Sequence, residues 1–384
     1  MAAKKALENF KGSKPDLALC FSTLDYHLDD VRSGVKEIIG SDVTMVGASS
    51  TMPFNQENAE KSTVVVSLIS SDTHLFYVSS TNEIKLDTKD KVGELVNKFP
   101  QDIPEDHEYR SLMIFVGGLA GNSQDVVNYL DLWFGKDVAF TGGLASDQLK
   151  MEETFVMHND EVLSEGLVCV LIASKKKVSI GVRYGHLPLS DEMTITKSKD
   201  NVVYEIDGKP AWDAYRESIR EPVKIKDGFD IFDMQDLQEI TNFLCVHEFG
   251  LKLDDGNFNI RAPVLVNKED GSMVFIQPMF EGTKFRVMYA TKDWTEKSAN
   301  LAIDEAIKKF PQDSKVSGAM VFDCSARGII MQDDYSKIVG NLKNTLGEDV
   351  PLVGVETYGE IAKDYGDEFV IIYNTTIVVL LLPD

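Results

Sequence analysis

Two short stretches near the end of this 384-residue chain hold residue types that do chemistry. Cys324-Ser-Ala-Arg327 sets a thiol close to a guanidinium. Such a thiol is an activated nucleophile if the cation lowers its pKa. Otherwise it packs, while the planar fork of Arg327 takes a carboxylate. No His or acid stands in sequence to complete a hydrolase arrangement. Thr357-Tyr358-Gly359-Glu360 gathers a hydroxyl, a ring and an acid on one loop, with a glycine that lets the backbone come close. Two earlier loops match it in placement, Ala48-Ser49-Ser50-Thr51 and Gly143-Leu-Ala145-Ser146-Asp147, and both are small and polar.

Other candidates carry less. Gly117-Gly118-Leu-Ala-Gly121 follows an apolar run but lacks the dinucleotide fingerprint and its acidic partner, so it reads as a tight strand-to-helix turn. No phosphate-binding loop ending in Lys-Ser/Thr is present. Cys245-Val-His247-Glu248 offers too few ligands for zinc and reads as a buried Cys beside a surface His on a helix. His27, His74, His107, His158 and His186 are scattered, and no spacing selects one as a haem ligand. No metal site is expected.

The elements that position these loops are repeated. The phrase Gly-x-Asp-Val-x-apolar-x-Gly occurs three times, at 40–47, 135–142 and 347–354. Before each copy stand a short apolar run and an amphipathic stretch; a β-branched run follows. The unit therefore reads strand, helix, strand, with the two strands parallel and a further strand beside them. The first glycine should cap the helix, and the last should end the second strand. Ligands of open α/β sheets bind beyond the carboxyl ends of such strands, where the three polar loops fall. The fold class is thus α/β, with two related mixed-sheet domains built from strand-helix-strand-Gly units. Residues 1–190 hold two copies and residues 200–384 one clear copy. No clean fourth copy is found between Tyr204 and Ile276.

Composition narrows the partners. The formal net charge of −23 argues against nucleic acid, whose phosphates it would repel. The N-terminus is polar and unlike a signal peptide, and no run is long enough to cross a membrane, so a cytoplasmic location is expected. Four unpaired-looking cysteines, Cys20, Cys169, Cys245 and Cys324, then read as reduced thiols.

The stretch Phe322-Asp-Cys324-Ser-Ala-Arg327, then Gly354-Val-Glu-Thr357-Tyr358-Gly359-Glu360, then Asn374-Thr375-Thr376, resembles the C-terminal signature of the FIST family (F-box and intracellular signal transduction proteins). Asp207-Gly208-Lys-Pro210-Ala211 with Tyr215 resembles the start of that domain, and Arg261 falls where the family tends to have a strand arginine. Val46-Gly47-Ala-Ser49-Ser50 and Gly142-Gly143-Leu-Ala145-Ser-Asp147 resemble the N-terminal domain. The resemblance implies a sensory domain for a small, amino-acid-like ligand. Its partner would be a separate histidine kinase, chemotaxis receptor or cyclic-dinucleotide enzyme, since about fifteen residues before the first strand leave no room for an F-box or output domain. One bacterial branch binds haem and responds to nitric oxide, which is the alternative; an enzyme using Cys324 or Glu360 is another. On the leading reading Cys324, Arg327, Thr357, Tyr358, Gly359 and Glu360 line the ligand site. Ser49, Ser50, Gly143 and Asp147 are secondary candidates, and no cofactor is expected.

Overall fold

A computed structural model describes residues 1–12, 14–253 and 258–384. The protein is mixed α/β. It divides into two compact units that follow the repeats rather than the order of the chain. The first comprises Met1–Arg183, Ser298–Ile372 and Thr376–Asp384, so all three copies share it. The second comprises Tyr184–Lys297 and Tyr373–Thr375.

Each copy builds the same sheet. The inner strands are Leu17–Ser22, Tyr109–Val116 and Val316–Cys324. A helix follows in each copy, Leu28–Ile39, Ser123–Phe134 and Tyr335–Leu346. Apolar residues at helical spacing bury one face of each, among them Val35 and Ile39, Val126 and Leu130, and Ile338 and Leu342. Gly40, Gly135 and Gly347 cap the three helices at φ of 97°, 73° and 99°, values that disfavour any side chain. The chain then returns as Thr44–Ser49, Val138–Leu144 and Leu352–Thr357, parallel to the inner strand each time. Val64–Ile69, Leu167–Ser174 and Thr376–Pro383 pair antiparallel on the other side.

Gly47, Gly142 and Gly354 lie inside the returning strands, not at their ends as the phrase suggested. Close approach explains two of them. A Cβ on Gly47 would sit 1.7 Å from the carbonyl oxygen of Cys20, and one on Gly142 would sit 2.1 Å from that of Ile114.

The three copies are tied together by exchange. Pro53–Asn55 leaves copy one and pairs with the returning strand of copy three. Glu360–Lys363 leaves copy three and pairs with copy two. Val156–His158 leaves copy two and pairs with copy one. The exchange closes on itself, so each copy completes another's sheet. Phe21, Phe115 and Phe322 hold the same position in the three inner strands, paired in register with Ala48, Gly143 and Val355. All three are fully buried, and Phe115 meets both others, with ring centroids 5.6 Å apart for Phe21–Phe115 and 6.0 Å for Phe115–Phe322. Aromatic contacts of this kind add to the burial of their large apolar area.

The second unit contains no copy of the repeat. Its strands His247–Lys252, Phe258–Arg261, Lys284–Ala290, Met193–Lys199, Val202–Ile206, Met273–Phe275 and Pro263–Val266 form a sheet with antiparallel pairings. Helix Ala211–Asp227 contributes Trp212, Tyr215, Ile219 and Val223 to the core of this unit, where Phe249, Phe275 and Phe285 also pack. That explains why no fourth copy is legible there.

Candidate functional site

The loops that leave the returning strands come together at the C-terminal ends of the parallel pairs. Ser50 Oγ and Ser146 Oγ both donate to the carbonyl of Glu356, at 2.9 and 2.7 Å. The Thr51 amide donates to Ser146 Oγ at 2.7 Å, and Ser325 Oγ donates to Thr51 Oγ1 at 2.9 Å. Each copy thus contributes hydroxyls to one network. Ser49 lies beneath it, with its Oγ accepting from the Phe155 amide at 3.0 Å.

The fully buried Asp147 and the half-buried Tyr358 form a second group on these loops. The phenol of Tyr358 donates to Asp147 Oδ1, and the amides of Met151, Glu152 and Glu153 donate to the same carboxylate at 3.0, 2.7 and 3.0 Å. Burial works against the charge of Asp147, yet these hydrogen bonds hold its carboxyl below the usual range. Tyr358 is half-buried, as are its neighbours Thr51, Gly118, Leu119 and Gln148 along these loops. Gly143 is buried against Thr357, whose Cγ2 would lie 2.4 Å from an added Cβ. Gly359 is buried, and its carbonyl accepts from the Leu144 amide at 2.9 Å.

Behind this network the remaining residues fall on either side of the strand Leu352–Thr357. Adjacent residues of a strand point to opposite sides. Asp323 is in register with Glu356, so two carboxylates stand side by side on neighbouring strands. Arg327 joins that side. It is fully buried, donates through Nε to Asp323, and donates through a terminal nitrogen to Ser298 Oγ at 2.8 Å. Tyr335 donates its phenol to Asp323 Oδ2 at 2.7 Å. The acidic group held by Arg327 is therefore Asp323. Burial pushes the Asp323 carboxyl up against the opposing pull of Arg327, and burial together with Asp323 pushes Glu356 well above the carboxylate range. Glu356 Oε1 has no hydrogen-bond partner among the described residues. A Cβ on Gly328 would meet that oxygen at 2.4 Å, so the glycine makes room for it.

Thr357 points the other way, towards Glu360 on the exchanged strand that pairs with copy two. The Thr357 hydroxyl donates to Glu360 Oε1 at 2.8 Å, and the Thr376 hydroxyl donates to Oε2 at 2.7 Å. Cys324 pairs in register with Thr357 and is buried, which counts against an exposed nucleophile. The six residues expected to line one pocket are thus split between a buried ion cluster, a buried carboxyl and a half-buried tyrosine. Two cavities, of about 500 and 470 Å³, are lined by other residues.

Sequence reasoning missed Asp323 and Glu356 as partners. The available signal was an acid at the end of each apolar strand run, where solvent exposure is not expected.

Glu360 makes a pH prediction. Burial raises its carboxyl from the ordinary 4.5 to about 8, against the hydrogen bonds from both threonines. The folded protein therefore holds a proton over a range where the unfolded chain has lost it. Stability from this group is full below about 4.5 and is lost as pH rises towards about 8. Glu360→Gln should flatten the fall in unfolding free energy between pH 5 and pH 8, measured by denaturant titration. An unchanged slope would remove Glu360 as its source.

In the second unit, His247 is buried and opens a strand, in contrast to the surface position on a helix expected for it. Its Nδ1 donates to the Phe243 carbonyl at 3.0 Å, its ring stacks on Phe243 at 3.8 Å, and burial lowers its pKa to about 3. Glu248 accepts from Thr375 at 2.8 Å and lies 2.8 Å from His186 Nε2, both partners being in the same unit. Among the described residues no His, Cys, Asp and Glu side chains are grouped so as to hold a metal ion.

The comparison with known families agrees with this architecture. The model of the FIST N domain matches residues 16–209, and that of the FIST C domain matches residues 211–363. The chain belongs to the FIST family. FIST domains are associated with sensing in signal transduction. An uncharacterized protein of the archaeon Methanocaldococcus jannaschii is 25% identical over 316 residues, which is 79% of this chain and 58% of that protein's own length. The first FIST domain alone contains two copies of the repeat, and the third copy, from the FIST C region, packs into the same compact unit. Among the described residues no helix is long and apolar enough to cross a membrane.

Proposed function

We propose that this FIST protein is a sensory module that binds a small amino-acid-like molecule where the three loops converge and signals through a separate protein in the cytoplasm. The observation that carries this reading is the Tyr358–Asp147 pair. Asp147 is fully buried and its carboxylate is taken up by four donors, so it positions the half-buried Tyr358 ring, whose face suits a ligand ammonium. The half-buried Thr51 hydroxyl, which donates to Ser146 Oγ at 3.0 Å, would turn its proton to the ligand carboxylate, while Ser146 stays bonded to the Glu356 carbonyl. Arg327 and Glu360 enter as positioning residues, because both are fully buried and bonded to the protein. Ligand binding would change how the loops of the three copies meet, and a histidine kinase, chemotaxis receptor or cyclic-dinucleotide enzyme would read that change.

The test is a thermal-shift screen against amino acids and short carboxylates, followed by calorimetric titration of the best hit. A ligand at a hundredfold over its Kd stabilises by about 2.7 kcal/mol, which such a screen resolves. Tyr358→Ala should weaken binding at least tenfold, and Tyr358→Phe, which keeps the ring, should weaken it less. Wild-type affinity in both variants would place the site elsewhere.

A further inference from the structure

We propose that the first unit carries a second small-molecule site, lower on the inner strands, suited to an uncharged amphipathic molecule: an aliphatic body with an amide, ester or hydroxyl head. The site is the cavity of about 470 Å³, a size within the range of ligand pockets of roughly 300–1,000 Å³. Its position follows from the threefold plan. Side chains two apart on a strand share a face. Leu19 and Met320 therefore lie one layer below Phe21 and Phe322, towards the N-terminal ends of their strands, and both line the cavity. The buried phenylalanines separate this space from the loops that carry Tyr358 and Asp147. Phe76 and Val353 add to the apolar wall.

Five hydroxyl residues, Ser67, Ser70, Ser71, Thr73 and Ser317, stand on the polar side of the cavity. Ser67 stands directly opposite Leu19 in register. Ser71 and Thr73 both bond His74 Nδ1, at 2.8 and 3.1 Å. His74 is buried, and its Nε2 has no hydrogen-bond partner among the described residues. A buried polar atom left unpaired is costly, and a ligand head group is one way to satisfy it.

Charge selects the head group. Lys11 brings one positive charge to the lining, while Asp72 and Asp384 bring two negative ones. Asp384 is already engaged by Ser314 at 2.8 Å and Lys176 at 3.8 Å. Burial keeps the His74 imidazole neutral, with its pKa at about 4. The lining thus has no cationic excess for a carboxylate, and the chain as a whole carries −23. Hydroxyls that both donate and accept match an uncharged head.

The test is calorimetric titration of octanamide, octanoate and octylamine into the full chain. Octanamide should bind, and the two charged probes should bind at least tenfold more weakly. Ser67→Phe, which fills the cavity from a half-buried position, should abolish octanamide binding. Ser317→Phe, at an exposed position on the lining, is a second filling variant should the first fail to fold. His74→Phe keeps the stacking on Phe76 and should weaken binding about tenfold. Circular dichroism and melting confirm the fold of each variant. No octanamide binding to wild type, equal binding of the three probes, or undiminished binding to a folded filling variant would overturn the proposal.

Discussion

Arg327→Ala is expected to cost about 3–5 kcal/mol of folding free energy, the usual effect of breaking a buried ion pair from one side. The guanidinium has no exposed surface and is bonded to Asp323 and Ser298. Its removal leaves Asp323 and Glu356 side by side, both buried, without the cation that offsets them. Asp323 would then have to protonate on folding, and Glu356 is already pushed that way. The desolvation cost, not the lost hydrogen bonds, dominates. A neutral–neutral hydrogen bond nets only about 1 kcal/mol. The paired variant Arg327→Met with Asp323→Asn should therefore recover much of the loss, because it removes both charges together. Urea titration of the two variants against wild type measures this. A loss under about 1 kcal/mol for Arg327→Ala would mean that the carboxylates are neutral without it.

The repeat was legible because its glycines are tied to geometry. Gly40, Gly135 and Gly347 recur where a helix must end, and the parallel strand pair follows from the order of the elements. The exchange of strands between copies was not legible. Pro53–Asn55, Val156–His158 and Glu360–Lys363 are three or four residues long and share no sequence pattern. Their partners are chosen by sheet edges that exist only once the copies meet. The same holds for Phe21, Phe115 and Phe322, which look like ordinary members of apolar runs. The site was partly legible. The polar loops were found from their position after strands, and they do converge. Arg327 was expected to take a carboxylate, of the ligand or of Glu360, and the acid it bonds is Asp323, while Glu360 accepts from Thr357. Strand alternation turns Glu356 and Thr357 to opposite sides, and which side meets which partner needs a register that the sequence alone leaves open.

The three equivalent glycines should respond unequally to alanine, and the order tests why they are there. None of Gly47, Gly142 and Gly354 has positive φ, so conformational freedom is not the reason. What differs is the neighbour. At Gly47 and Gly142 the new Cβ meets a backbone carbonyl oxygen on the inner strand, at 1.7 and 2.1 Å. Relief requires the parallel pair to separate, which breaks its ladder at the centre of the sheet. At Gly354 the neighbour is the Phe54 ring, at 2.1 Å. Phe54 is fully buried, but its ring lies on a three-residue strand at the edge of the sheet and can shift. Overpacking commonly costs about 1–3 kcal/mol and more where the backbone must move. Alanine also restricts the unfolded chain, which offsets the loss by about 0.4–1 kcal/mol at any of the three. Gly47→Ala and Gly142→Ala should therefore each lose more than about 3 kcal/mol, and Gly354→Ala about 1–2 kcal/mol. Denaturant unfolding of the three variants gives the ranking. Equal losses at all three positions would mean that the exchanged strand carrying Phe54 is held as firmly as the inner strands themselves.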